Sequence, residues 1–102
     1  MRIYCSKNYE QPKDRSGEYL VIFPNGTKRW YLNNQLHRED GPAVEFFNGT
    51  KVWHLNGKYH REDGPAIELF DGNKTYCYND EYFPSIKTNA EWKKNLKLMK
   101  FK

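Results

Sequence analysis

One heptapeptide carries the side chains of this 102-residue chain that are best suited to chemistry. Residues 37–43, His-Arg-Glu-Asp-Gly-Pro-Ala, recur unchanged as residues 60–66, at a spacing of 23. An imidazole beside carboxylates could serve general acid–base catalysis. The His and the Glu, two positions apart on a strand, would also share a face and could hold a metal ion. The heptapeptide is therefore the first candidate for a catalytic or metal site.

The duplication of the heptapeptide argues against both kinds of site. Catalysis needs unlike groups around one reacting atom, whereas this cluster occurs once in each copy. A closed zinc site needs four ligands, and no Cys-x-x-Cys or His-x-x-x-His pattern accompanies the pair. An Arg–carboxylate network that holds the Asp-Gly-Pro turn explains the cluster better. We expect no catalytic residue, no metal ligand and no cofactor, and assign a structural role to Arg38, Asp40, Arg61 and Asp63.

The two cysteines are predicted to lie too far apart to pair. Two strands per repeat, at about 4.8 Å each, would separate Cys5 from Cys77 by on the order of 29 Å, whereas a disulfide needs Cα atoms within about 7 Å. No apolar run exceeds five residues, and the first seven lack the apolar stretch of a secretory signal. We expect free thiols, no membrane span and a cytoplasmic protein.

The 23-residue period extends beyond the heptapeptide. Asn-Gly or Asp-Gly pairs stand at 25–26, 48–49 and 71–72, and an aromatic residue follows each pair at 30, 53 and 76. Clean copies between degraded ones are typical of a repeat array with capping ends. We divide residues 1–84 into units 1–26, 27–49, 50–72 and a partial 73–84. Turns at this spacing predict a mostly β fold, an antiparallel meander of about three 23-residue β-hairpin repeats with one C-terminal α-helix.

Two-residue turns at 48–49 and 56–57 would fix which residues face each other across the strands. The count predicts three rows on one face, which we take as buried: Val21–Trp30–His37, Val44–Trp53–His60 and Ile67–Tyr76–Phe83. That face also carries Phe23, Leu32, Phe46, Leu55, Leu69 and Tyr78. The opposite face is predicted to be mixed and wet, with Arg29, Tyr31, Leu36, Glu45, Val52, His54, Tyr59, Glu68, Thr75, Cys77 and Tyr82.

The last 18 residues change character. Residues 1–84 hold 11 Lys or Arg and 12 Asp or Glu, whereas residues 85–102 hold six Lys and one Glu. Thr88 and Glu91 fit a capping box, and Trp92, Leu96 and Met99 form one helical stripe. We predict a helix over about 89–100, within a basic amphipathic capping segment, residues 85–102, whose stripe covers the last repeat.

The period, the hairpins and the Asp-Gly-Pro-Ala turn resemble those of the MORN repeat family, in its variant form. The resemblance covers about residues 15–84 and is strongest over 53–60 and 62–66. It implies a β-hairpin array that acts as a scaffold or docking surface. Some variant-repeat proteins resemble antitoxins, and others occur in viral and phage-like genomes. Asp-Gly-Pro replaces the family's usual Gly-x-Gly pair here, so the family's proposed lipid binding is not assigned to any residue.

These features favour a non-catalytic module, a small intracellular inhibitor of antitoxin-like or phage-encoded kind. It would bind a larger, acidic-surfaced protein and occlude it sterically. Binding of an anionic ligand, a nucleotide or nucleic acid, through Arg38, Arg61, His37 and His60, is the first alternative, and a membrane-surface scaffold is the second. Rings on the mixed face would give rigid contact area, and the lysines would steer association or only be solvated. The predicted partner-binding residues are Tyr31, His54, Tyr59, Tyr82, Lys93, Lys94, Lys97 and Lys100.

Overall fold

Short strands joined by Gly and Asn turns make up most of the chain. The computed structural model describes residues 1–100, so the last two residues of the predicted segment 85–102 lie outside the described residues. The elements are β1 Arg2–Cys5, β2 Glu18–Ile22, β3 Lys28–Leu32, β4 Gln35–Leu36, β5 Val44–Glu45, β6 Lys51–Val52, β7 His54–Leu55, β8 Lys58–Tyr59, β9 Ile67–Glu68, β10 Lys74–Thr75, β11 Cys77–Tyr78, β12 Glu81–Tyr82 and α1 Asn89–Lys100. The predicted mostly β fold with one C-terminal helix is confirmed.

One sheet runs through the array in the order β1-β2-β3-β5-β6-β9-β10, with β4 paired to β3. The hairpins β7–β8 and β11–β12 are separate two-stranded sheets. The wide hairpins therefore build the main sheet, and the tight hairpins of the two later repeats lie beside it. β1 pairs with β2 in parallel, with Arg2 opposite Tyr19. The predicted meander was purely antiparallel and did not include this pairing. The two strands can run parallel because a long connection, residues 6–17, joins them in place of a hairpin turn.

The wide hairpins have three-residue loops, not the predicted two-residue ones. The Phe46 N–H donates to the Thr50 carbonyl over 2.9 Å, and the Gly49 N–H donates to the Phe46 carbonyl over 3.0 Å. Gly49 has φ +94°, as in a type I turn closed by a residue in the left-handed region. The same bonds recur around Gly26 and Gly72. This loop shifts the pairing of the flanking strands by one residue.

The register shift overturns half of each predicted row. Val44 lies opposite Val52, not opposite Trp53. Likewise, Val21 does not face Trp30 and Ile67 does not face Tyr76, because their partners are Arg29 and Thr75. The other half of each row depends on the tight hairpins, which have the predicted two-residue turns. Positive φ at both central positions, 51° at Asn56 and 80° at Gly57, sets His54 opposite Tyr59 as predicted.

A one-residue shift moves side chains to the other face of a sheet, so the predicted faces are partly wrong. Val21 and Val44 are buried as predicted. Trp30 and Trp53 are only half-buried and Leu69 is exposed. Residues predicted on the wet face are instead buried, namely Tyr31, Val52, His54 and Cys77.

Side-chain hydrogen bonds join each wide hairpin to the next. The buried Thr27 hydroxyl accepts the Phe47 N–H over 3.2 Å, and the Thr50 hydroxyl accepts the Phe70 N–H over 3.1 Å. Each threonine N–H in turn donates to the side chain two residues earlier, as Thr50 does to Asn48 over 3.0 Å. The Asn-Gly-Thr loops therefore set both the local turn and the stacking of neighbouring repeats.

The helix α1 covers the last repeat as predicted. Trp92 is fully buried and Leu96 nearly so, and they pack with Tyr76 in one core cluster. The Thr88 hydroxyl accepts the Glu91 N–H over 3.1 Å, and the Glu91 carboxylate accepts the Lys87 N–H over 3.2 Å, which satisfies N–H groups at the helix start. Among residues 1–100, no helix combines the length and apolarity that crossing a membrane requires.

Candidate functional site

Two grooves of similar size open side by side along the repeats. The first groove has a volume of about 490 Å³ and the second about 510 Å³. Six residues of the first recur 23 positions later in the second. They are Trp30, Leu32, His37, Arg38, Glu39 and Asp40 in the first, and Trp53, Leu55, His60, Arg61, Glu62 and Asp63 in the second. Residues 38–41 also form the far wall of the second groove, so the two grooves share a boundary.

An arginine covers the tryptophan in each groove. The Arg38 guanidinium lies 3.9 Å from the Trp30 ring centroid and that of Arg61 lies 3.8 Å from the Trp53 ring centroid. At that distance the cation–π attraction is strong. Both tryptophans are half-buried, and a planar cation lies over each ring where a core residue was expected.

The same guanidinium donates three hydrogen bonds, two of them to carboxylates, and this set recurs in both repeats. Arg61 donates to Asp63 over 2.8 Å, to Glu68 over 2.7 Å and to the Pro65 carbonyl over 3.1 Å. Arg38 has the equivalent three bonds to Asp40, Pro42 and Glu45 at 3.1–3.2 Å. Each arginine therefore has two carboxylate partners of its own. Neither guanidinium is free to neutralise a phosphate.

The histidines of the heptapeptides connect repeats and do not converge on a shared position. The Asn56 N–H donates to His37 Nδ1 over 2.9 Å, and the Asn79 N–H donates to His60 Nδ1 over 3.1 Å. His60 also packs edge-on against Tyr78, with ring centroids 4.6 Å apart. Each imidazole thus caps the turn of the next tight hairpin, an arrangement that suits a structural role.

Exposed carboxylates line the rim of the second groove. Glu39 is 85 % exposed, Asp40 89 % and Asp63 83 %, and Glu62 is partly exposed. The pKa of Glu62 lies below its usual value, first because Lys100 donates a hydrogen bond to it and second because His60 does. Since both arginines already pair with Asp and Glu, the rim carries surplus negative charge.

In the last repeat, the position equivalent to the two grooves is occupied by the helix α1. Tyr76 and Phe83 stand where the earlier repeats have Trp and His, and Trp92 of α1 packs against them at ring-centroid distances of 5.4 and 5.0 Å. The Trp92 indole N–H donates to the Arg61 carbonyl over 2.9 Å. Pro84 takes the place of the groove arginine, so no guanidinium covers Tyr76. The helix α1 therefore occupies the site equivalent to an open groove.

The predicted partner-binding residues do not form one surface. Tyr31 stacks on Tyr19, with ring centroids 4.9 Å apart, inside the N-terminal core. His54 is buried too, so the expectation that both lie on an exposed face is wrong, for the register reason given above. Tyr59 is half-buried between His54 and Tyr82. Of the four predicted aromatic and imidazole contacts, the one on β12, Tyr82, is exposed (54 %).

The predicted lysines behave differently from one another. Lys93, Lys94 and Lys97 are exposed on α1. Lys100 instead donates to the Glu62 carboxylate over 2.6 Å, which raises the pKa of the Lys100 amine. Three of the four lysines thus remain on the surface of α1, whereas Lys100 joins the helix to the rim.

The buried histidine and cysteine are poor candidates for chemistry. Burial is the main cause that lowers the pKa of His54, and its Nδ1 has no hydrogen-bond partner among residues 1–100. Burial also raises the pKa of Cys77 to about 11, which keeps the thiol protonated and unreactive. Both cysteines are free, Cys5 being exposed. No group of three His, Cys, Asp or Glu side chains in the described residues could hold a metal ion.

Sequence reasoning missed the grooves, although two signals for them were present. The heptapeptide has two adjacent acids and one arginine, which pairs with the Asp and with a Glu outside the heptapeptide, so the Glu of the heptapeptide is left for the rim. Pro84 breaks the period at the arginine position, which marks the last groove as different.

No protein-family model, curated protein or solved structure matches the chain.

Proposed function

We propose that this chain is a non-catalytic protein-binding module built on MORN-like repeats, a small intracellular inhibitor that occludes a larger partner. One observation carries the proposal: two open grooves precede an equivalent position in which a helix is bound. A protein segment is the kind of ligand that this surface already accommodates. The antitoxin-like or phage-encoded character that the resemblance implies is part of the proposal.

The grooves are suited to an extended contact. The molecule measures 44 × 30 × 18 Å, and the grooves share residues 38–40 as a common wall. Each floor is fixed by the stacked arginine and its carboxylates, so little side-chain freedom would be lost on binding. A rigid, repeated surface of this kind supports steric inhibition.

The charges of the two surfaces would orient the partner. Lys93, Lys94 and Lys97 form a cationic surface on α1, which would attract an acidic region of a larger protein and raise the association rate. The groove rim is negative and would meet a region of opposite sign. Two patches of opposite charge at fixed separation would restrict the docking orientation.

The alternative of phosphate or nucleotide binding lacks support in the site. It required free guanidiniums at Arg38 and Arg61, and each pairs with two carboxylates of its own repeat. The alternative of nucleic-acid binding is opposed by the same rim charges, which would repel a phosphate backbone. We therefore retain the protein-binding proposal alone.

Photo-crosslinking tests the proposal directly. A benzoylphenylalanine placed at Leu55, in the second groove, should crosslink one specific protein in extract of the native cell, and untagged protein should compete. The matched control places the same group at Phe47, which is exposed at the tip of a wide hairpin. Equal crosslinking from both positions, or none from Leu55, contradicts the proposal.

A further inference from the structure

We infer that the second groove binds a basic amphipathic helix of a partner protein, one with an aromatic residue and a lysine or arginine two turns later. The inference rests on the proposed function and names the chemistry of the segment that enters the groove. Its basis is the way in which α1 is held at the equivalent position one repeat further along the chain.

Two polar contacts anchor α1 to the wall that it shares with the second groove. The Trp92 indole N–H reaches the Arg61 carbonyl over 2.9 Å, and the Lys100 amine reaches Glu62 over 2.6 Å. These two side chains are eight residues apart, about 12 Å along a helix. Between them the apolar stripe continues through the buried Leu96. The receptor for α1 thus consists of one carbonyl, one carboxylate and an aromatic floor.

The second groove offers the same receptor 23 residues earlier. The Arg38 carbonyl and the Glu39 carboxylate stand at the positions of the Arg61 carbonyl and the Glu62 carboxylate. Trp53 and His60 line the floor in place of Tyr76 and Phe83. Glu39 is 85 % exposed and lies 3.8 Å from His37 Nε2, so it is accessible to a cation from outside.

One difference between the sites decides what the aromatic residue packs against. At the α1 site Trp92 packs on Tyr76 and Phe83. In the second groove Arg61 covers Trp53, and Gly64 closes the other face of the guanidinium, because a Cβ there would lie 2.9 Å from its central carbon. An incoming ring would therefore pack against His60, which stands at the position of Phe83 and lines the groove.

Charge complementarity sets the preference for a basic helix. Of the four carboxylates around the opening, Asp40 and Asp63 pair with Arg38 and Arg61, and Glu62 pairs with Lys100. Glu39 is the one that no lysine or arginine among residues 1–100 contacts. An acidic or neutral helix would bring no cation to compensate it. The partner segment therefore carries basic residues along the side that faces the rim.

A synthetic peptide with the sequence of residues 88–100 is the probe, because it has the required tryptophan and lysine. Fluorescence anisotropy with the full chain should show saturable binding. Glu39→Lys should weaken binding at least tenfold, whereas Glu81→Lys, the same charge change at an exposed residue outside both grooves, should change it less than twofold. A peptide with alanine in place of the tryptophan should also bind at least tenfold more weakly.

A second measurement on the unmodified chain locates the peptide. In a ¹⁵N-labelled sample the indole N–H signal of Trp53 should shift on titration while that of Trp92 stays in place. A shift of Trp92 instead, or binding that survives Glu39→Lys, means that the peptide displaced α1 and overturns the inference. So does the absence of binding at millimolar peptide. Self-association of the chain that Glu39→Lys abolishes would assign the groove to α1 of a second copy and likewise overturn it.

Failure of this inference can be distinguished from failure of the proposed function. If the peptide does not bind while Leu55 still crosslinks a specific cellular protein, only the chemistry assigned to the partner segment is wrong. If neither experiment gives a signal, the groove is not a protein-binding surface and both proposals fall.

Discussion

At the residue scale, the arginine of the heptapeptide makes a stacking contact and two ion pairs at the same time. Arg61 covers Trp53, ties the Asp-Gly-Pro turn through Asp63 and holds β9 through Glu68. The turn even fits around it, because a Cβ on Gly64 would lie 2.9 Å from the guanidinium carbon. A planar five-donor group is needed for stacking and forked bonding together, which lysine does not offer.

Arg61→Ala should therefore destabilise the fold by about 3 kcal/mol, through loss of the cation–π contact and of charged hydrogen bonds in a half-buried site. Arg61→Lys should recover less than half of that loss. Urea unfolding measures the free energy, with Arg15→Ala, an exposed arginine, as the control that changes it by less than about 0.5 kcal/mol. If Arg61→Ala unfolded at the wild-type urea concentration, the arginine–tryptophan stack would contribute nothing to the free energy of unfolding.

His54 makes stability depend on pH. Burial lowers its pKa below the ordinary value of 6.5 in the folded state, so the unfolded chain binds the proton more readily. Stability is then complete above pH 6.5 and falls as the pH drops from there towards the lowered pKa, with a slope of at most about 1.4 kcal/mol per pH unit from this group.

His54→Gln should reduce the loss of unfolding free energy between pH 7.5 and 5.5, because glutamine takes up no proton. Chemical denaturation at both pH values gives the two differences to compare. If the variant loses as much stability on acidification as the wild type, His54 is not the group responsible.

At the scale of elements, the tight turns and the helix could be predicted while the register could not. Asn56-Gly57 has φ preferences that fit a two-residue turn, and Thr88, Glu91 and the Trp92 stripe define α1 locally. Asn48-Gly49 fits a two-residue or a three-residue loop equally well. The choice depends on whether Asn48 adopts a positive φ, which it does not, and on the bond from Thr50 to the following repeat.

That one undecided loop explains the errors at the candidate site. Tyr31 and His54 were expected at the surface because a two-residue loop would place them there, and the added loop residue turns them inward. The structural role of Arg38 and Arg61 was predicted from the duplication of the heptapeptide alone, so it did not depend on the strand register. The grooves depend on the spacing between tight hairpins, which no local pattern encodes.

Trp92→Ala should destabilise the protein by about 3–5 kcal/mol, because it removes a fully buried ring from between Tyr76 and Phe83 and leaves a cavity. Thermal and urea unfolding measure the effect. Leu98→Ala, on the exposed side of α1, is the matched control and should change stability by less than about 0.5 kcal/mol. Equal effects of the two substitutions would mean that α1 does not seal the last repeat.

At the scale of the whole molecule, charge is separated along the array. The rim of the second groove is negative, and the exposed side of α1 carries Lys93, Lys94 and Lys97. The field of such a molecule acts on encounter with a partner more than on folding. Association and stability should therefore respond to different substitutions.

Lys97→Glu should leave the free energy of unfolding within about 0.5 kcal/mol of wild type, because the side chain is exposed. It should slow association with the protein captured through Leu55, most strongly at low salt. Surface plasmon resonance at two salt concentrations measures this, with Lys74→Glu on the main sheet as the control. Equal slowing by both variants would show that net charge matters and the position on α1 does not.

Because residues 38–40 line both grooves, neighbouring clefts share one wall. Duplication of a single 23-residue stretch of coding sequence would lengthen the sheet by two strands, roughly 10 Å, and create one more cleft without disturbing α1. Unequal recombination alone could therefore change the length of the binding surface, in steps of one repeat.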